Sequence, residues 1–387
     1  MAEPTKTTRR EFLRGKSAAE ALADAVIGQP QALDSPAAAG RESFLLSISR
    51  DAMACQFEVL LPGDSTAAEG AVAALDLVER LEAQLTVYRD NSEIMAINRR
   101  AATEPIPVEA ALFDLLQRSV ELFEQTGGAF DITSGPLSKV WGFYRRQGAL
   151  PAPDEIAAAL ANVGSQHLQL DRARRTIRFG RPGMELNLGA IGKGHALDCA
   201  AAELLSAGAE NFVIHGGNSS VLARGGRGIS EGGFQKADLP TMPAGGFQQS
   251  EISNLKSSIS PTWSVALRHP LRPEIRLAEF FLINQALGTS GSGTQFFHHQ
   301  GRRYGHILDP RTGWPAQQVL SATVIAPTAE QADALSTAFY VLGNEPAAEY
   351  CRAHPEISAL LVTAPRAGAI ELHPVNLADA AWRRLTE

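Results

Sequence analysis

A chain of 387 residues with 42 acidic and 35 basic side chains carries a net charge of -7 and has no basic footprint for nucleic acid. Its composition, 44% hydrophobic and 20% charged, is ordinary for a globular protein, and no run approaches the ~18 apolar residues of a membrane span. Cys55, Cys199 and Cys351 stand far apart without a CxxC, so neither a zinc cluster nor a disulfide framework is expected and buried free thiols are the reading.

At the N-terminus, "TTRREFLRG" (7–15) has the register of a twin-arginine export signal. The apolar stretch that should follow instead holds Lys16, Glu20 and Asp24. A degenerate export signal, leading to the periplasmic side of the inner membrane, and a basic Ala-rich tail on a cytoplasmic protein both stand. Residues 1–41 are therefore set apart from a domain over 42–387. "SFLLSIS" (43–49) and "CQFEVLLP" (55–62) read as antiparallel strands. A helix follows over 66–86, with Val72, Leu75, Val78, Leu81 and Leu85 on one stripe. A short helix is expected in "YRDNSEIMAINRR", and another over 108–125 that stops at Gly127-Gly128. "MELNLG" (184–189) reads as a buried strand, turning through glycines into a helix over 193–207, with "NFVIH" (211–215) the next strand. Residues 225–260 are Gly- and Ser-rich without periodicity, which predicts a disordered insertion within the domain. Strands resume in "TWSVALRHP", "AEFFLINQALGTS" and "SATVIA", and a last helix spans 328–342.

That helix opens with a capping box, Thr328 to Gln331, and its core stripe is Leu335, Ala338, Phe339 and Leu342. Asp333 and Thr337 lie one turn apart on the flank and offer hard oxygen ligands of the kind Mg²⁺ accepts, or else an ordinary first-turn Asp beside an incidental Thr. "NLGAIGKGHALD" (187–198) is neither a P-loop nor a dinucleotide fingerprint. It still sets Lys193 at a helix N-terminus, where an anion is favoured. Asp131, in "GGAFDITSG", could accept from a ligand N–H or cap a local turn. "YGHILDPRTGWP" (304–315) holds His306, Asp309 and Arg311 in one rigid turn. With "HGGN" (215–218) and "GTSGSGT" (288–294), five such glycine-rich turns suggest a single large ligand gripped through backbone.

"GGAFDITSGPLSKVWGF", "LNLGAIGKGHALD", "TSGSG", "YGHILDPRTGWP" and "ADALSTAFYVLG" resemble, in order and spacing, the motifs of the FAD:protein FMN transferase (ApbE) family. "MACQFEVLLPG" and "TVYRDNSEIMAIN" are similar to its N-terminal motifs, and the resemblance covers roughly 43–375. It implies a compact two-lobed α+β fold of mixed and antiparallel sheets flanked by helices, with FAD in a cleft between the lobes. It also implies a Mg²⁺-dependent reaction that cleaves the FAD pyrophosphate, attaches FMN through a phosphoester to a threonine of an acceptor protein, and releases AMP. Carried over, Asp333, Thr337 and the Ala190 carbonyl match the metal positions. Met53, Tyr88, Ala129, Phe130, Asp131, Lys193 and Leu308 match flavin-contacting positions, and His306 matches the histidine near the reacting phosphorus. In catalysis the resemblance gives His306 the base's role and Lys193 a point charge on the pyrophosphate.

Asn187 stands where the family typically has Asp; it too falls among the cofactor-binding positions, with its shape kept and its charge lost. A FAD pyrophosphatase, or a flavin-binding protein without catalysis, is the alternative.

Overall fold

The computed structural model describes residues 25–27, 45–217, 219–226, 262–291, 295–364 and 370–385. Its main sheet has eight strands: β1 Leu45–Ala52, β2 Cys55–Pro62, β3 Phe212–Gly216, β4 Ser220–Arg224, β5 Ala286–Gly291, β6 Ser321–Ala326, β7 Ser358–Thr363 and β8 Glu371–Val375. They lie in chain order across the sheet, and every neighbouring pair is antiparallel. Every helix among the described residues is inserted between two adjacent strands of this sheet. The helices are α1 Ala68–Leu85, α2 Glu93–Arg100, α3 Ala110–Gln125, α4 Gly135–Val140, α5 Pro153–Leu160, α6 Gly192–Ser206, α7 Ala329–Leu342 and α8 Asn344–Ala353.

β3 and β6 are buried at every position because both faces of the sheet are covered. Ile214, Leu222 and Val324 point into a core shared with Leu75 of α1, Leu197 of α6 and Leu335 of α7. Their chain neighbours Val213, Val221 and Ile325 point the other way, as the two-residue period of a strand requires. There they meet Val265, Leu267 and Phe280 of a second antiparallel sheet, in the order 25–27, 263–269, 272–282, 382–384. Three residues from the tail thus form an edge strand of that sheet. A third cluster, with Leu137, Trp141, Ile156, Tyr304 and Leu308, stands apart from both and carries the 304–315 loop.

The fold is the α+β arrangement the motifs imply. Both N-terminal strands and the helices after 66, 92, 108 and 328 fall within a few residues of expectation. Val72 does not: it is 42% exposed, and Ala71 takes the stripe position beside Leu75, Val78, Leu81 and Leu85. The strand expected over 184–189 is extended chain with a single bridge, Glu185 to Ser134. No neighbouring strand is needed there, because the Asn98 side chain takes both the N–H and the carbonyl of Leu186 at 2.7 and 3.0 Å, and the Asn187 N–H reaches the Ile132 carbonyl. Cys351 is buried, whereas Cys55 and Cys199 are only partly so; all three are free. The proposed export signal and most of the expected 225–260 insertion lie outside the described residues. Among the described residues no helix is long and apolar enough to cross a membrane.

Candidate active site

The site begins where α6 and α7 touch. Gly194 lies against the α7 backbone, and a Cβ there would collide with the Ala329 carbonyl. Its N–H donates to Asp333 Oδ2 at 2.7 Å, while Ser220, at the start of β4, donates to Oδ1 at 2.6 Å. Asp333 is buried, not on an open flank, because α7 packs on β5 as closely as on α6: a Cβ at Gly288 would strike the Ala332 carbonyl. Burial raises the Asp333 carboxyl, and the Lys193 charge and the two hydrogen bonds oppose that rise. Lys193, the second residue of α6, donates to Ser219. One turn beyond Asp333, Thr337 Oγ1 lies 3.1 Å from Ser290 Oγ at the end of β5.

His306 comes from the third cluster. The Gln295 carbonyl accepts from both its backbone N–H, at 3.0 Å, and its ring Nδ1, at 3.1 Å. With Nδ1 carrying the proton, Nε2 holds a free lone pair. Burial pushes the His306 pKa down, the carbonyl resists, and the nearby Lys193 charge lowers it further, so the ring is neutral at pH 7. Lys193 therefore bears electrostatically on both Asp333 and His306 and joins the two halves. Below the histidine the loop is self-braced. Asp309 accepts from Arg311 Nε at 2.9 Å and from Nη2 at 2.8 Å, and the Gly313 carbonyl accepts from the Trp141 indole at 2.8 Å. Arg311 is thus a structural partner of Asp309.

The positions matched to flavin contacts are placed unevenly. Met53 and Ala54 form the two-residue turn between β1 and β2 at φ 50° and 60°. That conformation costs side-chain-bearing residues of order 1–3 kcal/mol each, and such strain concentrates at ligand sites. Tyr88 is 65% exposed and stacks on Tyr144 with centroids 5.1 Å apart. Asn187 lines a crevice with Val87, Asn98, Lys139, Tyr144 and Glu185, and its own oxygen accepts from the Gly189 N–H at 3.0 Å. Ala129, Phe130 and Leu308 have buried side chains. The Asp131 carboxylate is taken up locally, accepting from Thr133 N–H and Oγ1 and from Ser165 Oγ at 2.7–2.8 Å. Ala190 is partly buried against the main core, three residues before Lys193.

Reasoning from the sequence missed Ser220, Ser290 and Asn98. Ser220 carried a signal, since it closes the "HGGNSS" turn; Asn98 carried none, being 88 residues from its partner. The donors about Asp333 are one carboxylate and hydroxyls. Among the described residues no three His, Cys, Asp or Glu side chains cluster as a softer metal would require. An all-oxygen set with a single carboxylate suits Mg²⁺, which binds through one or two carboxylates and completes its shell with phosphate and water.

On an α+β scaffold, then, a buried carboxylate among hydroxyls and a histidine from a separate cluster both feel the charge of a lysine at a helix N-terminus. A match to the ApbE family spans residues 53–361, and the chain belongs to that family. It is 32% identical over 293 residues to the FAD:protein FMN transferase of Treponema pallidum (strain Nichols), covering 74% of this chain and 75% of the relative. Identity to the FAD:protein FMN transferase of Haemophilus influenzae (strain ATCC 51907 / DSM 11121 / KW20 / Rd) is 27% over 378 residues, 95% of this chain and 98% of that one. In structure it is similar to the ApbE protein of Thermotoga maritima, with a TM-score of 0.70 and 26% identity over 85% of this chain and 96% of the other. The Pseudomonas stutzeri flavinyl transferase ApbE, apo form, gives 0.68 and 25% over 86% and 95%.

Proposed function

We propose that this protein is a FAD:protein FMN transferase that uses Mg²⁺ and moves FMN onto a threonine hydroxyl of an acceptor protein. The observation that supports the reading is that the Lys193 charge, at the start of α6, bears on both Asp333 of α7 and His306 of the 304–315 loop. The His306 Nε2 lone pair takes the proton from the acceptor hydroxyl. The oxygen attacks the FMN phosphorus, the pyrophosphate P–O bond breaks, and AMP leaves with that electron pair. Lys193 holds a positive charge against the pyrophosphate, beside the free N–H groups that open α6. Asp333, Thr337 and the Ala190 carbonyl would hold Mg²⁺, which would polarise the pyrophosphate and neutralise charge on the departing AMP. Asn187 leaves the crevice less anionic than an Asp would, and its side chain is held by Gly189.

The test is incubation with FAD and Mg²⁺, with and without an acceptor protein, read by mass spectrometry. An FMN adduct on an acceptor threonine together with free AMP is expected. Free FMN and AMP with no adduct would make the protein a pyrophosphatase, and unchanged FAD would make it a binder.

A further inference from the structure

Asp198 has no part in the chemistry above, yet it is bound to the helix that carries the metal residues. It lies four residues after Gly194, on the same face of α6. Its Oδ1 accepts from the Ala329 N–H at 3.0 Å and its Oδ2 from the Glu330 N–H at 2.9 Å, the first two N–H groups of α7. The helix also has a cap of its own, since Thr328 Oγ1 accepts from the Gln331 N–H at 3.2 Å. A cap internal to the helix stabilises it but does not locate it. A two-oxygen grip from a neighbouring helix does locate it, and Ala329, Asp333 and Thr337 then follow at intervals of four along one row. The grip is reinforced one residue on. The Glu330 carboxylate receives Arg118 of α3 at 2.5 and 2.9 Å, and His195 of α6 lies 3.2 Å away.

We propose that Asp198 is a positioning residue, fixing the height and rotation of α7 so that Asp333 and Thr337 present their oxygens to the metal-bound pyrophosphate. This rests on the Mg²⁺ reading above. Keeping the carboxylate charged there works against its surroundings: burial pushes Asp198 up to about 6 despite both hydrogen bonds, Glu330 adds to the rise and Arg224 opposes it. Thr328 serves only the Gln331 N–H, so the first two N–H groups of α7 take their acceptor from α6, and the helix start is tied to that neighbour.

The experiment compares Asp198→Asn and Asp198→Glu with Thr328→Ala. Tm, the Mg²⁺ concentration for half-maximal FAD turnover, and the Mg²⁺-induced rise in Tm of the FAD-loaded protein without acceptor are measured for each. Residues that orient metal ligands typically change metal affinity by about 10–100-fold. Asp198→Asn should therefore raise the half-saturating Mg²⁺ by about tenfold or more and move the Mg²⁺-induced Tm rise to the same higher range. At saturating Mg²⁺ its KM for FAD should stay within about twofold of wild type and most of kcat should return. Asp198→Glu keeps the charge but displaces α7, and should shift Mg²⁺ saturation in the same direction; it also serves if the asparagine variant does not fold. Thr328→Ala should lower Tm and leave Mg²⁺ saturation alone. A lower Tm with unchanged Mg²⁺ saturation in the Asp198 variants would make the residue a plain cap, and loss of kcat that excess Mg²⁺ does not restore would also overturn the proposal. Wild-type turnover without any need for Mg²⁺ would instead defeat the metal reading on which the proposal stands.

Discussion

The two halves of the site are built in opposite ways. Asp333 is part of the core: the carboxylate is buried, two hydrogen bonds hold it, and α7 is wedged between Gly194 and Gly288. His306 stands on a braced loop in a separate cluster, where its ring donates to the Gln295 carbonyl and meets the edge of Phe143. A group embedded in packing is firmly placed, but stability and activity change together when it is altered. A group mounted on a loop can be lost with the fold intact. In the proposed mechanism, binding of charge falls to the rigid half and proton transfer to the loop.

Asp333→Ala breaks the comparison most severely. Mg²⁺-dependent FAD turnover should fall by roughly 10³-fold, the several kcal/mol that a metal contributes to such a transition state. The fold should survive with its stability reduced by about 1–3 kcal/mol, because the Gly194 N–H and Ser220 hydroxyl lose their acceptor. Chemical denaturation beside a turnover assay checks both. Wild-type turnover at ordinary Mg²⁺ would remove Asp333 from the site.

Lys193→Met should act on both halves at once. FAD binding, followed by fluorescence quenching, should weaken by roughly tenfold, about 1.4 kcal/mol. The His306 pKa should rise, since the Lys193 charge is one of the causes lowering it. In the wild type, the acid limb of the pH–transfer profile should therefore lie below pH 6.5, and in Lys193→Met it should move to higher pH. An acid limb at the same pH in both proteins would show that the two groups do not interact.

Stability should depend on pH through His195, behind the rigid half. Burial works against its charge, but Cys199 and Glu330 outweigh burial and raise its pKa from 6.5 to about 9. A raised histidine pKa stabilises the fold fully below pH 6.5, and that contribution is lost as pH climbs through about 9. Denaturation midpoints should therefore fall between pH 6.5 and 9, and His195→Gln should flatten that slope. The smallest effect is expected for Thr328→Ala, a loss of about 0.5–2 kcal/mol seen as a lower Tm with normal turnover.

Local signals explain what could be read from the sequence. The Thr328 cap sits where the Thr-x-x-Gln pattern puts it, although the Gln331 side chain meets the Thr328 hydroxyl, not its backbone N–H. Lys193 at a helix start was likewise visible, because that start is set by residues a few positions apart. The long-range closures were not. No local pattern marks the clamp of Asn98 on Leu186, Ser220 bonding Asp333 across 113 residues, or Asp198 capping α7 across 131. Periodicity marks the face of α7 that meets hydrophobic core, but it is blind to a polar flank buried by two glycines from other elements. For the same reason no local pattern marks the bond from Ser165 to Asp131, 34 residues away.

The division of labour is tested most directly by measuring FAD affinity and single-turnover FMN transfer in His306→Asn beside the wild type. Asparagine keeps a polar side chain of similar size but takes up no proton near pH 7. Transfer should fall by about 10²–10⁴-fold with the FAD dissociation constant nearly unchanged. Equal losses of binding and rate would contradict this, making His306 a ligand contact and sending the search for the base to Asp309.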